Sequence, residues 1–163
     1  MSASSTSKKV LVSRFDRETL PGFVNPQSYL TAEGIELLTA SGSVQMVPYS
    51  EAKLVCFVRD WGQGEPRREL KIFSTRPKME GLWVRMAFRD GDAMDGILAN
   101  NLLLLDNTGF SVIPPDPSFQ NARIFVPKEA LTSLLVMGVV GTPLRHPRKA
   151  KPAVKEQIGL FDT

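Results

Sequence analysis

One cysteine and one histidine stand in 163 residues, and no run of apolar residues approaches the roughly 18–20 needed to span a bilayer as a helix. A lone Cys56 excludes an intrachain disulfide, and one Cys with one His cannot furnish a structural zinc site from those ligands within one chain. His146 lies between Arg145 and Pro147 in a basic segment and reads as a solvated side chain, not a general base. There is no G-x-x-x-x-G-K-[ST] loop, no G-x-G-x-x-G after a strand and no G-x-S-x-G elbow. Asp90, Asp92 and Asp95 lack the continuation of a calcium loop and read as a solvated hairpin turn. Arg67 and Arg68 stand beside Glu65 and Glu69, where local charge pairing accounts for them. No enzyme is expected from these absences, and no cofactor or metal. The opening MSASSTSKK lacks the apolar stretch of a secretory signal, so the expected location is cytoplasmic, without membrane association.

What is present is a core-forming composition. Hydrophobic residues make up 42% of the chain, enough for a packed interior. Cys56 sits in the run Leu54-Val55-Cys56-Phe57-Val58, the setting of a buried structural thiol. The net charge of +3 is concentrated at the ends: residues 1–9 carry +2, residues 142–163 carry +3, and residues 10–141 carry −2. A nucleic-acid-binding domain usually carries its basic footprint on the folded body. Here that leaves only weak electrostatic contact through Arg145, Arg148, Lys149 and Lys151.

The chain also repeats itself. KVLVSRFDRETLPGFV from Lys9 and WVRMAFRDGDAMDGIL from Trp83 align at a shift of 74, bringing Val10 onto Val84, Asp16 onto Asp90 and Gly22 onto Gly96. Each copy reads as an alternating, half-buried strand, a short acidic turn and a second strand. Asp90-Gly91 is a strong hairpin signal, because its turn needs positive φ. Arg17 replaces Gly91 in the first copy, which predicts a turn that differs in detail. Further on, Val47-Pro48 and residues 54–58 parallel Val126-Pro127 and residues 131–136 at a shift of 79. About five extra residues are therefore expected in copy two, in the loop 114–121. Pro48 and Pro127 should end strands.

The expected fold is all-β: two small barrel units related by duplication, residues 9–58 and 83–141, flanked by a flexible N-terminus, 1–8. A linker, 59–82, would include an extra strand at Leu70-Lys71-Ile72-Phe73, and a flexible basic tail, 142–163, would follow. Each unit is near the lower size limit for folding alone, so mutual packing should help both. A single irregular β domain with coincidental similarity is the alternative.

Val84, Met86 and Phe88, the Asp90-Gly91 turn, Gly96-Ile97-Leu98 and the run from Ile124 to Leu131 resemble the Sm-like family of five-stranded, SH3-like barrels. The resemblance covers most of 9–58 and 83–140 and implies the barrel. The family's RNA-binding loops correspond here to Asn100-Asn101, loosely aligned, and to Val126-Pro127-Lys128 where an Arg-Gly loop is usual. RNA binding through Asn100 and Asn101 is thus the alternative function, since a fold does not carry a site with it. Finally, Gln157-Ile158-Gly159-Leu160-Phe161 resembles the pentapeptide that binds the bacterial DNA sliding clamp. Ile158, Leu160 and Phe161 would enter an apolar groove while the Gln157 amide bonds its rim. Docking of Leu160 and Phe161 onto the protein's own β body remains open beside it. The expected function is a non-catalytic adaptor with a protein partner at this tail, the sliding clamp being the named candidate. Oligomers through exposed strand edges are also compatible with the sequence.

Overall fold

Alternation of apolar and polar side chains sets the strands, and the way they pair reveals the duplication. The computed structural model describes residues 7–59, 61, 72–73, 76–77, 79–99, 107–114 and 123–141. The strands are β1 (Lys8–Arg14), β2 (Thr19–Val24), β3 (Ile35–Leu38), β4 (Val44–Val47), β5 (Ala52–Phe57), β6 (Gly81–Phe88), β7 (Ala93–Leu98), β8 (Gly109–Ile113), β9 (Arg123–Pro127) and β10 (Leu131–Val140). They form one antiparallel sheet in the order β10-β6-β7-β8-β9-β5-β1-β2-β3-β4. The chain is all-β, as its sequence predicts.

The two halves share one pairing scheme. Val10 faces Gly22 on β2 and Phe57 on β5, while Val84 faces Gly96 on β7 and Val136 on β10. Even the irregularities correspond: the β1–β5 register slips between Ser13 and Arg14, and the β6–β10 register slips between Ser133 and Leu131. Leu38 pairs with Phe23 and Val44, and Ile113 pairs with Ile97. These pairings give a shift of 75 for the third strand and 79 for the fourth and fifth. One of the five extra residues therefore lies between β7 and β8, and four between β8 and β9. The sequence alone places all five in the later loop, which the pairing corrects by one residue.

Glycine is required where strands crowd. A Cβ on Gly22 would lie 2.6 Å from Leu37 Cδ1, and one on Gly96 would lie 2.9 Å from Val112 Cβ, the corresponding neighbour. The hairpin turns also match, contrary to expectation. Arg17 adopts φ +75° where Gly91 has φ +98°, and both turns close by the same bonds. The Arg17 amide donates to Arg14 O and the Gly91 amide to Phe88 O, each at 3.0 Å. Asp16 and Asp90 each accept from the amide two residues on. The turn geometry is thus fixed by the strands on either side, and Arg17 bears the left-handed strain.

The apolar residues form two cores that share β1 and β5. Val10, Val12 and Val55 point into the first, with Ile35, Leu37 and Val47. Leu11, Leu54 and Cys56 point from the opposite face into the second, with Val84, Met86 and Phe88. Consecutive residues of β1 are accordingly buried, where alternation predicted a half-buried strand. A strand covered on both faces reads as a continuous apolar run, as β5 does. The Cys56 thiol is buried, and desolvation pushes its pKa up to about 12, as its apolar setting led one to expect. Of the linker, Ile72 and Phe73 lie outside every strand, so the expected extra strand does not include them. Trp61 packs edge-on to Phe23 at 4.9 Å and donates from Nε1 to Val10 O at 3.1 Å.

Replacing Arg17 by glycine should remove the left-handed penalty at the expense of some unfolded-state entropy. The expected gain is about 0.5–1 kcal/mol in urea or thermal unfolding.

Candidate functional site

None of the residues singled out for binding falls within the described structure. Asn100 and Asn101, the basic Arg145, Arg148, Lys149 and Lys151, and the segment residues Gln157, Ile158, Leu160 and Phe161 all lie outside it, as do His146, Arg67 and Arg68. What the structure brings together are a seam between the halves and two open edges, whose strands the sequence did not name, and a buried carboxylate that it read otherwise.

At the seam, β5 and β9 pair antiparallel, with Val55 opposite Phe125, Cys56 opposite Ile124 and Phe57 opposite Arg123. Phe125 belongs to the second half by sequence, yet its ring is buried in the core of the first, edge-on to Tyr29 at 6.0 Å. The Arg123 guanidinium lies 4.3 Å from the centre of the Phe57 ring, within cation–π range. Across the same seam, Lys53 Nζ meets Asp90 Oδ2 at 2.7 Å and also bonds Asp92. Arg89 reaches the Ser50 carbonyl and stacks 4.0 Å from the Phe15 ring. The turn carrying Asp90 and Asp92 is an exposed hairpin, as the sequence predicts, and it also serves as a clasp between the halves. Desolvation opposes ionisation of Asp90, but the bonds from Lys53 and the local backbone prevail and hold its pKa below the ordinary carboxylate range.

Asp95 departs further from expectation. It lies within β7, not in the turn, and is fully buried. Its Oδ1 accepts from Arg85 Nε at 2.7 Å, and its Oδ2 accepts from Arg85 Nη2 at 3.0 Å and from Trp83 Nε1 and the Phe73 amide at 2.9 Å each. Burial alone would raise its pKa. The bonds from Arg85, Trp83 and Phe73 overcome this and lower it. The carboxylate thereby fastens residue 73 of the linker onto β6 and β7, where the Phe73 ring also meets Trp83 edge-on at 6.1 Å. Asp95 and the pair Asp90 and Asp92 do different work, and no group of three potential metal-binding side chains occurs among the described residues.

The third feature is apolar exposure at the ends of the sheet. Among the described residues, strands β4 and β10 each pair on one side only. Val44 and Met46 on β4 are 63% and 41% exposed, and Leu135 and Val136 on β10 are 59% and 54% exposed. Met137 and Val139 of β10 are exposed as well. A visible signal existed in the run Leu134-Leu135-Val136-Met137, which reads like a strand covered on both faces although one is open. Such edges offer unpaired backbone groups flanked by apolar side chains, the equipment for strand addition.

Residues 6–138 match the model of DUF6982, a family of unknown function. The chain belongs to that family. No curated protein and no solved structure is matched by it. The DUF6982 match spans all ten strands except the end of β10, so the seam, the Asp95 cluster and most of both edges fall within the family's extent. No helix among the described residues is long and apolar enough to cross a membrane.

Asp95→Asn puts an amide where three groups donate to a carboxylate, and should destabilise the fold on the order of 2 kcal/mol at neutral pH. Because the folded-state pKa of Asp95 is lowered, its ionic contribution is present above the ordinary carboxylate pKa of about 4 and is lost as pH falls through the folded value. Urea titrations of both proteins should show the gap between them narrowing below about pH 4.

Proposed function

We propose that the protein is a non-catalytic adaptor: a rigid β body recruited to a protein partner through Gln157-Ile158-Gly159-Leu160-Phe161, the partner being the bacterial DNA sliding clamp. The observation carrying this reading is the sequence of that segment, with a hydrogen-bonding Gln first, an aliphatic residue next and a Leu-Phe pair at its end. Burying Leu160 and Phe161 in a groove contributes roughly 1.5–3 kcal/mol for each side chain, and aromatic anchors dominate recognition of this type. Residues 142–156, which separate the segment from β10, allow a reach of at most roughly 50 Å from the body. That leader carries five basic residues against Glu156, and would favour a clamp encircling DNA over a bare one. The duplicated body is the payload in this reading.

A second reading takes the halves as Sm-like nucleic-acid-binding modules. It is supported by the five antiparallel strands of each half and by the tight turn, Lys128–Ala130, that precedes the last strand of the second. In that case the residues following β7, Asn100 and Asn101, would contact RNA.

Fluorescence anisotropy against a bacterial sliding clamp separates the readings. The full chain should bind with micromolar affinity, and both the Gln157→Ala/Leu160→Ala/Phe161→Ala variant and a chain ending at Glu156 should lose binding. If neither intact nor altered chain binds the clamp, while Asn100→Ala/Asn101→Ala weakens binding to single-stranded RNA, the adaptor reading fails and the second stands.

A further inference from the structure

We propose that copies of this chain join edge to edge, β4 of one copy lying antiparallel on β10 of the next, in the geometry that the internal seam already uses. This goes beyond the adaptor reading and does not depend on it.

The argument rests on the correspondence between the halves. The seam joins β9, the fourth strand of one half, to β5, the fifth strand of the other. The strands left at the ends of the sheet are β4 and β10, again a fourth and a fifth. The two ends of the molecule are therefore the two sides of an interface that the chain has already made once. Through the shift of 79, Phe125 corresponds to Met46, Ile124 to Gln45 and Arg123 to Val44, while Val55, Cys56 and Phe57 correspond to Leu134, Leu135 and Val136. The seam register then transfers directly: Leu134 opposite Met46, Leu135 opposite Gln45 and Val136 opposite Val44 of the neighbouring copy.

The side chains suit that register. Phe125 crosses the seam to complete a core not its own and is 1% exposed, whereas its counterpart Met46 has no such core among the described residues and is 41% exposed. Leu134, opposite Met46 in the transferred register, already packs against the second core, so the incoming Met46 would extend that core as Phe125 extends the first. Val44 and Val136 would form an apolar pair in the place that Arg123 and Phe57 hold at the seam. The stretch Leu134–Val136 also lies between the register slips of β10 and away from Arg76, whose Nη2 bonds the Val139 carbonyl at 2.7 Å. Among the described residues nothing pairs with the outer side of this stretch.

The contact is head-to-tail, so it closes into a ring if the rotation per copy permits and otherwise grows into a filament. It should be weaker than the seam. Thr132 stands where Lys53 stands, so the ion pairs made there to Asp90 and Asp92 have no counterpart, and Gln45 stands where Ile124 is buried. Reversible, concentration-dependent association follows.

Sedimentation of the full chain should give a mass that rises with concentration above the 18.0 kDa of one copy. Val136→Lys and, separately, Val44→Lys should return it to a monomer with an unchanged thermal midpoint, since both side chains are exposed. A mixture of Val44→Cys and Val136→Cys chains should give a covalent dimer with a short bismaleimide, and either variant alone should not; buried Cys56 stays silent. A full chain that is monomeric at every concentration overturns the proposal. It is equally overturned if association appears only after residues 142–163 are removed, or if Val136→Cys alone cross-links to itself.

Discussion

The structure depends on Phe125 and the strand pairing that carries it across the seam. Each half has a mixed set of apolar side chains, and neither encloses its core alone. The first core takes Phe125 from β9, and the second takes Leu11, Leu54 and Cys56 from β1 and β5. Burial of an aromatic ring removes 150–250 Å² from water, a large contribution for halves so near the lower size limit. Because β1 and β5 serve both cores, loosening either strand exposes apolar surface on both sides at once. The halves should therefore unfold together.

The duplication was legible because strand alternation, the acidic turns and Gly22 with Gly96 recur in order, and the pairing registers reproduce that alignment residue for residue. Proline also reported faithfully, with β4 ending before Pro48 and β9 ending at Pro127. Turn chemistry misled at Arg17. Flanking strand pairs fix that turn's backbone, and an arginine tolerates the resulting left-handed conformation at a cost the fold can bear.

Burial was harder to read than strand position. Period-2 logic assigns one face of a strand to the core and cannot see a second core arriving on the other face, which is what happens at β1. Asp95 was misread for a related reason: a carboxylate after Asp90 and Asp92 looks like part of a turn. Only the pairing of β6 with β7, which sets Arg85 opposite Asp95, shows that it lies on the face away from the second core, beside a ready-made partner. As for the candidate binding residues, all ten lie outside the described residues, and their readings still rest on sequence. The edge surface had a signal in the apolar run of β10, but that signal acquires meaning only when the open side of the strand is known.

Duplication within one chain produces an interface and, unavoidably, two unused halves of it. What differs between the used and unused versions is then informative. The seam holds Ile124 beside Cys56, an aromatic plug at Phe125 and a lysine held by two aspartates. At the ends, the same places hold Gln45, Leu135, Met46 and Thr132, so one face is apolar, the opposite face sets Gln45 against Leu135, and the ionic clasp is missing. Arg85 likewise stands where the first half has Leu11 and is engaged by Asp95. Val44, Met46, Leu135 and Val136 are nonetheless apolar and exposed, and exposed apolar edges invite pairing with another chain. Apolar side chains without the seam's ionic clasp would give a contact weaker than the seam, which is the reversible association proposed above.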